Sequence, residues 1–195
     1  MFSACLVPRL VTYFKEPSDY QKVLEMYNES HRYYHNVDHI QTMIRDYNLL
    51  VKHNVILTVL FHDAVYNPVS SSNESDSAQL AENMLNNNAN HDYIINTIID
   101  TQTHICSEEI GNRGTILDLD MKILASEQFS EYHEYSKSIR SENSHLKTTI
   151  YNEHRMNFLK TCLSSTVFNT DYFKNKFEHL AHRNMKKELK SIANR

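Results

Sequence analysis

Only two glycines, Gly111 and Gly114, occur among 195 residues, and they lie three positions apart. Such a chain has almost no positions where the backbone can turn left-handed or approach a phosphate closely. A Walker loop or a dinucleotide fingerprint needs several glycines at fixed spacing, so neither can be written here. Sandwiches and barrels need many tight turns with positive φ, which argues against an all-β fold. The remaining class is all-α. At 22.9 kDa the chain is long enough to bury a core without disulfides, and residues 1–195 read as a single domain.

Cys5, Cys106 and Cys162 are scattered, odd in number and without metal-finger spacing, which predicts a reduced, cytoplasmic protein. Nothing approaches the ~20 apolar residues of a membrane span. Phe2, Leu6 and Val7 are followed by Pro8 and Arg9 before a signal-peptide core forms, so the expected start is that of a cytosolic chain. From Lys174 to Arg195 there are seven Lys/Arg against two Glu, a local +5 within a chain of net charge −4. Phe173, Phe177, Leu180 and Leu189 recur there near helical spacing. A final amphipathic helix over about 171–192, with a solvated basic face, accounts for both features; nucleic-acid binding by that face is the less favoured reading.

Eight to ten helices follow from the pattern. Asp19 is a candidate cap for a helix to about residue 28. Over 35–51, Ile40, Met43, Ile44, Tyr47 and Val51 fall at i, i+3, i+4, i+7 and i+11, one helical face. Asn54 is a candidate cap for a segment over 55–66 that is apolar nearly all round, and such a helix is buried. Asn73 is a candidate cap for a helix through 85, and another is expected over about 92–104. The stretch 107–115 holds both glycines and reads as a loop. Further helices are expected over about 116–126, 129–140, 144–163 and 171–192.

The chemistry-bearing residues interrupt apolar helices. His35 and His39 are four apart, so on a helix they share a face. The spelling is not the zinc-protease H-E-x-x-H, because Asn36 stands where the general base belongs. His62-Asp63 follows Leu60-Phe61 in the buried segment, where an unpaired charge costs several kcal/mol. Asp118 and Asp120 interrupt Ile116-Leu117 and Leu119-Met121 in the same way. Two imidazoles and two carboxylates from three helices suit a borderline divalent ion.

The order of these features, a His, then an adjacent His-Asp, then a later Asp, resembles the HD superfamily of metal-dependent phosphohydrolases. The spellings Arg32-Tyr33-Tyr34-His35-Asn36-Val37-Asp38-His39, Phe61-His62-Asp63-Ala64-Val65-Tyr66, Asn73-Glu74-Ser75-Asp76-Ser77-Ala78, Thr101-Gln102-Thr103-His104, Leu117-Asp118-Leu119-Asp120 and Tyr132-x-x-Tyr135-x-x-x-Ile139-Arg140-x-Glu142 resemble its stand-alone members over about 30–160. The resemblance implies an all-α HD-type domain with His39, His62, Asp63 and Asp120 as ligands of one divalent ion, among which Mn, Fe, Co, Ni, Zn and Mg are open. His39 is taken over His35 because it opens the apolar stripe. Asp118 and Asp120 stay alternatives on the residues alone; with Asp120 as ligand, Asp118 is expected to orient a ligand imidazole or close a helix start.

Hydrolysis of a phosphate ester, with a small nucleotide as the expected substrate, is the implied activity. Asp63 and Glu74 are its candidate catalytic residues, Glu74 as the acid that orients water or moves a proton. His35, His104, Arg140 and Tyr66 are candidates for substrate binding. Arg32, Lys122, Arg155 and Arg113 are further cations within reach of the motifs. Two other readings use the same residues: a metal-stabilised binding module without activity, and a di-iron oxygenase, against which the lack of a His-His pair speaks.

Overall fold

In the computed structural model, which describes residues 7–46, 52–107 and 112–194, the segment apolar on every side forms a helix buried along its length. In chain order the helices are α1 (Val7–Val11), α2 (Pro17–Met26), α3 (Val37–Asp46), α4 (His53–Phe61), α5 (Asn73–Met84), α6 (His91–Asp100), α7 (Arg113–Asp120), α8 (Phe129–Glu142), α9 (Thr148–Ser164) and α10 (Asp171–Ala193). A 3-10 helix, Met121–Ala125, extends α7. Among the described residues there is no strand, only a single antiparallel bridge between Phe14 and Leu85. The molecule is all-α, as expected, with ten α-helices among the described residues. None of these helices is long and apolar enough to cross a membrane.

Every residue of α4 from 55 to 61 is buried, and α2, α3, α5 and α6 pack around it. Each fully buried aliphatic or aromatic side chain there contributes about 1.5–3 kcal/mol. One hydrophobic cluster runs from Leu10 through α4 to Met185 of α10. Phe173, Phe177, Ala181 and Met185 face that core, while Lys176, Arg183, Lys186, Lys187 and Lys190 are exposed. The basic face of the last helix is therefore solvated.

Several helix ends differ from the sequence expectation, each because of identifiable hydrogen bonds. Helix α3 starts at Val37, not His35, because the Asn36 side chain accepts from the N–H groups of Asp38 (2.9 Å) and His39 (3.4 Å). His35 thus precedes the helix and does not share a helical face with His39. Helix α4 ends at Phe61 instead of continuing to Tyr66: Tyr27 donates to the Leu60 carbonyl, and the Arg32 guanidinium to those of Asp63 and Ala64. Those bonds replace the ones a longer helix would make. Asp19 lies inside α2, where Pro17 opens the helix, and pairs with Lys22 at 2.7 Å. Asn54 lies inside α4, and Asn73 instead staples the loop before α5 through Asn67.

Helix α6 ends at Asp100, earlier than expected, because this buried carboxylate accepts from Ser107 and from Arg113 at 2.6 Å. The same ion pair pins the start of α7, so Gly114 is a buried helix residue and not part of a loop. Cys5, Tyr47, Val51 and Gly111 lie outside the described residues, as do Phe2 and Leu6.

A buried ion pair locks the C-terminal layer. Arg155 of α9 donates to both oxygens of Glu188 on α10 at 2.9 and 3.0 Å, and Glu188 also accepts from Ser136 (2.6 Å) and the Tyr132 hydroxyl of α8. Removing one partner of such a pair leaves an uncompensated buried charge. Glu188→Ala is expected to lower unfolding free energy by about 3–5 kcal/mol in urea denaturation. Lys186→Ala on the exposed face should change it by under about 0.5 kcal/mol.

Candidate metal centre

Three segments bring imidazoles and carboxylates to one point. His39 comes from the first turn of α3, His62 and Asp63 from the end of α4, and Asp120 from the last residue of α7. His39 Nε2 lies 3.3 Å from His62 Nε2 and 3.1 Å from Asp120 Oδ1. His62 Nε2 lies 3.0 Å from Asp63 Oδ2 and 3.7 Å from Asp120 Oδ1. His39, His62 and Asp63 each offer a ligand atom within 4.8 Å of the others, so they could hold a metal ion. The early end of α4 matters here. His62 keeps helical backbone angles but closes the helix, and Asp63 turns off it, so the adjacent pair flanks one point.

The donor chemistry fits a cation. His62 Nδ1 is 2.8 Å from the Val59 carbonyl, which can only accept, so that nitrogen carries the proton and Nε2 faces the cluster. Both imidazoles are buried. Burial works against a charged His62, but Asp63 and Asp120 outweigh it and hold its pKa well above the ordinary value. Burial likewise opposes the Asp63 carboxylate, and His62 with His35 overcomes it, keeping the carboxyl well below the usual range. Asp120 is held low by its bonds with His104, His39 and His62, again against burial. The cluster thus concentrates negative charge beside basic nitrogens, the donor set of a divalent ion.

Asp118 and Asp120 are two residues apart on α7, so they point to roughly opposite sides of the helix. Asp120 faces the imidazoles. Asp118 is fully buried on the other side and accepts from the Thr170 N–H (2.9 Å) and hydroxyl (2.6 Å) and from Asn169, closing the start of α10. It does not orient a ligand imidazole. His104 Nε2 approaches Asp120 Oδ2 at 3.0 Å. Its backbone has φ of 55°, a left-handed conformation unusual outside glycine, and Asn169 donates to its carbonyl. Asn169 was not legible as a site residue, although Phe168-Asn169-Thr170-Asp171 spells a helix start.

His35 has its own carboxylate. Glu142, at the end of α8, accepts from the backbone N–H groups of Tyr33, Tyr34 and His35 at 2.7–2.9 Å, and lies 2.8 Å from His35 Nδ1. The Tyr66 hydroxyl donates to it at 2.9 Å. Burial opposes the Glu142 carboxylate, yet His35 and these N–H groups bring its pKa from the usual 4.5 to about 2. His35 is raised in turn: burial lowers it, and Asp63 and Glu142 more than compensate.

A cavity of about 240 Å³ opens on this cluster, with His35, Asp63, Tyr66, Glu74, His104 and Asp120 in its wall. Arg140 is not in it. Its guanidinium donates to the carbonyls of Asn143 (2.6 Å) and Leu146 (3.1 Å) and lies 4.8 Å from the Tyr151 ring centre, so it closes the turn after α8. Arg32 and Arg113 are buried structural cations bonded to carbonyls and to Asp100 respectively. Lys122 pairs with Asp46 at 2.7 Å. The apolar part of the wall comes from Met121, Ile123, Leu124, Ile139 and Phe158; apart from Ile139, which falls in the motif from Tyr132 to Glu142, these residues read as ordinary core.

Glu142 has a depressed pKa in the folded chain, so its contribution to stability is present above pH 4.5 and lost as the pH falls toward about 2. Glu142→Gln should therefore destabilise by roughly 2–3 kcal/mol at pH 6–7. In urea unfolding at stepped pH, the gap from the natural chain should close between pH 4.5 and 2. No protein-family model, curated protein or solved structure matches this chain.

Proposed function

We propose that this chain is an HD-type, metal-dependent phosphohydrolase of the cytoplasm, acting on a phosphate ester with a small nucleotide as the substrate class. The observation that carries the reading is the meeting of His39, His62, Asp63 and Asp120, from three separate motifs, in one cluster beside a cavity, with both histidines buried and both carboxylates partly exposed. His39, His62, Asp63 and Asp120 would hold one divalent ion. Such an ion supplies a water acidified toward neutrality and a positive charge for a phosphoryl oxygen.

The remaining work falls to the chain's own side chains. His35 faces the cavity with its Nδ1 held by Glu142, which leaves Nε2 to donate a proton to the departing alkoxide. Glu142 sets the ring's orientation and supports its charged form. Glu74, at the start of α5, makes no side-chain hydrogen bond among the described residues and lines the same cavity, so its carboxylate is available to orient the attacking water. Tyr66 is fixed by Glu142 and packs 4.4 Å from the His35 ring, narrowing the space around the reacting groups. His104 steadies Asp120.

Elemental analysis and a phosphate-release assay on nucleotides with added Mn test this reading. The natural chain should hold about one metal per chain and release phosphate. Asp63→Asn should lose both. His35→Asn should keep the metal while kcat falls by about 10²–10⁴. A chain that holds metal but turns over no ester is a binding module instead, and a chain that takes up no metal rejects the reading altogether.

A further inference from the structure

The cavity beside the metal cluster is poor in positive charge. Among the described residues that line it, Arg155 is the one Lys or Arg: its Nε and one terminal nitrogen are bidentate to Glu188, the other terminal nitrogen lies 3.4 Å from the Tyr135 hydroxyl, and the guanidinium stacks between Tyr135 and Phe158 at 5.3 and 5.0 Å. Arg155 is buried, its charge matched within α9 and α10. His35, when protonated, is matched by Glu142. Against this stand three carboxylates, Asp63, Glu74 and Asp120. One divalent ion neutralises two of them and leaves one negative charge over.

Other cations near the wall do not change the balance: Arg32, behind Asp63 and Tyr66, is paired with Glu29. A groove of about 730 Å³, which shares Tyr34 and Ile123 with this cavity and is also lined by His39, carries Arg45, Lys122 and Lys176, but Asp38, Asp46, Glu127 and Glu131 line it too. Apart from His104, bonded to Asp120, and Thr101, whose hydroxyl donates to the Ile98 carbonyl, the rest of the metal cavity's wall is aliphatic or aromatic. Such a wall accepts an esterified, weakly hydrated group better than a bare phosphoryl oxygen.

On the metal-hydrolase reading above, we infer that the substrate is a singly charged phosphodiester, not a doubly charged phosphomonoester or a polyphosphate. A monoester dianion brings a second charge that no free guanidinium or ammonium meets, whereas sites built for dianions present cations to those oxygens. A diester adds one charge to this balance where a monoester adds two, and it brings a second organic group, which the apolar wall meets. The hydrolysis balances on this basis: the water oxygen bonds to phosphorus and the phosphorus–oxygen bond to one alcohol breaks. One water-derived proton ends on the departing alkoxide by way of His35, and the other goes to solvent. The product is a monoester dianion, which the excess carboxylate charge drives out of the cavity.

The test pairs esters with one leaving group, bis(p-nitrophenyl) phosphate and p-nitrophenyl phosphate, on the full Mn-loaded chain, with calorimetric titration of dimethyl phosphate and methyl phosphate as a readout independent of turnover. The expected result is a kcat/KM at least about tenfold higher for the diester, and methyl phosphate binding no tighter than dimethyl phosphate. Ile139→Lys, which adds a cation to the half-buried cavity wall, should tighten methyl phosphate and narrow the preference. Preferred turnover of the monoester, or tighter binding of methyl phosphate to the natural chain, overturns the diester inference and leaves the hydrolase reading standing. Bound Mn with neither ester turned over nor bound overturns both. Should Ile139→Lys fail to fold, the two ligand pairs on the natural chain decide the question.

Discussion

One buried guanidinium joins the two segments that supply the imidazoles. Arg32 donates to the carbonyls of Asp63 (2.6 Å) and Ala64 (2.8 Å) just past α4, and to that of His35 (3.2 Å) just before α3. Its Nε is bonded to Glu29, and its guanidinium lies over the Tyr27 and Tyr66 rings. A guanidinium has five donors in a rigid plane, so it can satisfy several carbonyls at once without bending the chain. The buried turn that follows α4 needs such donors, because the carbonyls of Asp63 and Ala64 have no helical partner. By supplying them to α4 and to the approach of α3 together, Arg32 sets the distance between His39 and the His62-Asp63 pair.

Glu142 acts on the same segment from the other side. Arg32 gathers carbonyls there and Glu142 gathers N–H groups, so residues 32–35 are held between a buried cation and a buried anion. Buried charges are tolerated only when each is fully bonded, and here both are. The consequence for chemistry is pre-organisation: His35 and His39 are fixed relative to one another by backbone bonds, not by a shared helical face. The energy of folding therefore positions these rings before any ligand arrives.

How much of this was legible in the sequence depends on what kind of signal each residue carries. The all-α class followed from glycine scarcity because that limit acts everywhere along a chain. Asp63 and His62 stood out because a charged pair in an apolar helix needs a partner, and Asp120 for the same reason. What the residues alone left undecided was Asp118 against Asp120, which differ only in the side of α7 they face, and that is set by where α10 begins. Arg140 shows the opposite limit. A cation two residues from Glu142 has the same local spelling whether it meets a ligand or closes a turn, and the carbonyls of Asn143 and Leu146 decide for the turn. The helix ends differed because side-chain bonds set them and no periodicity contains these: Asn36 starts α3 with a local cap, while Arg32 and Asp100 hold the ends of α4 and α6 through bonds to other segments.

The pair Asp118 and Asp120 also explains why the basic C-terminal helix is part of this architecture. Through Asp118, helix α7 caps the start of α10; through Asp120, two residues later, it faces the imidazoles. Asn169 closes the link by donating to both Asp118 and the His104 carbonyl, and His104 in turn bonds Asp120. The left-handed backbone at His104 costs about 1 kcal/mol or more, and it persists because bonds on both sides fix it. At its other end α10 holds Arg155 through Glu188, and Arg155 forms part of the cavity wall. The last helix therefore fixes the far wall of the cavity at one end and the Asp120 side of the cluster at the other, while its lysines remain in solvent.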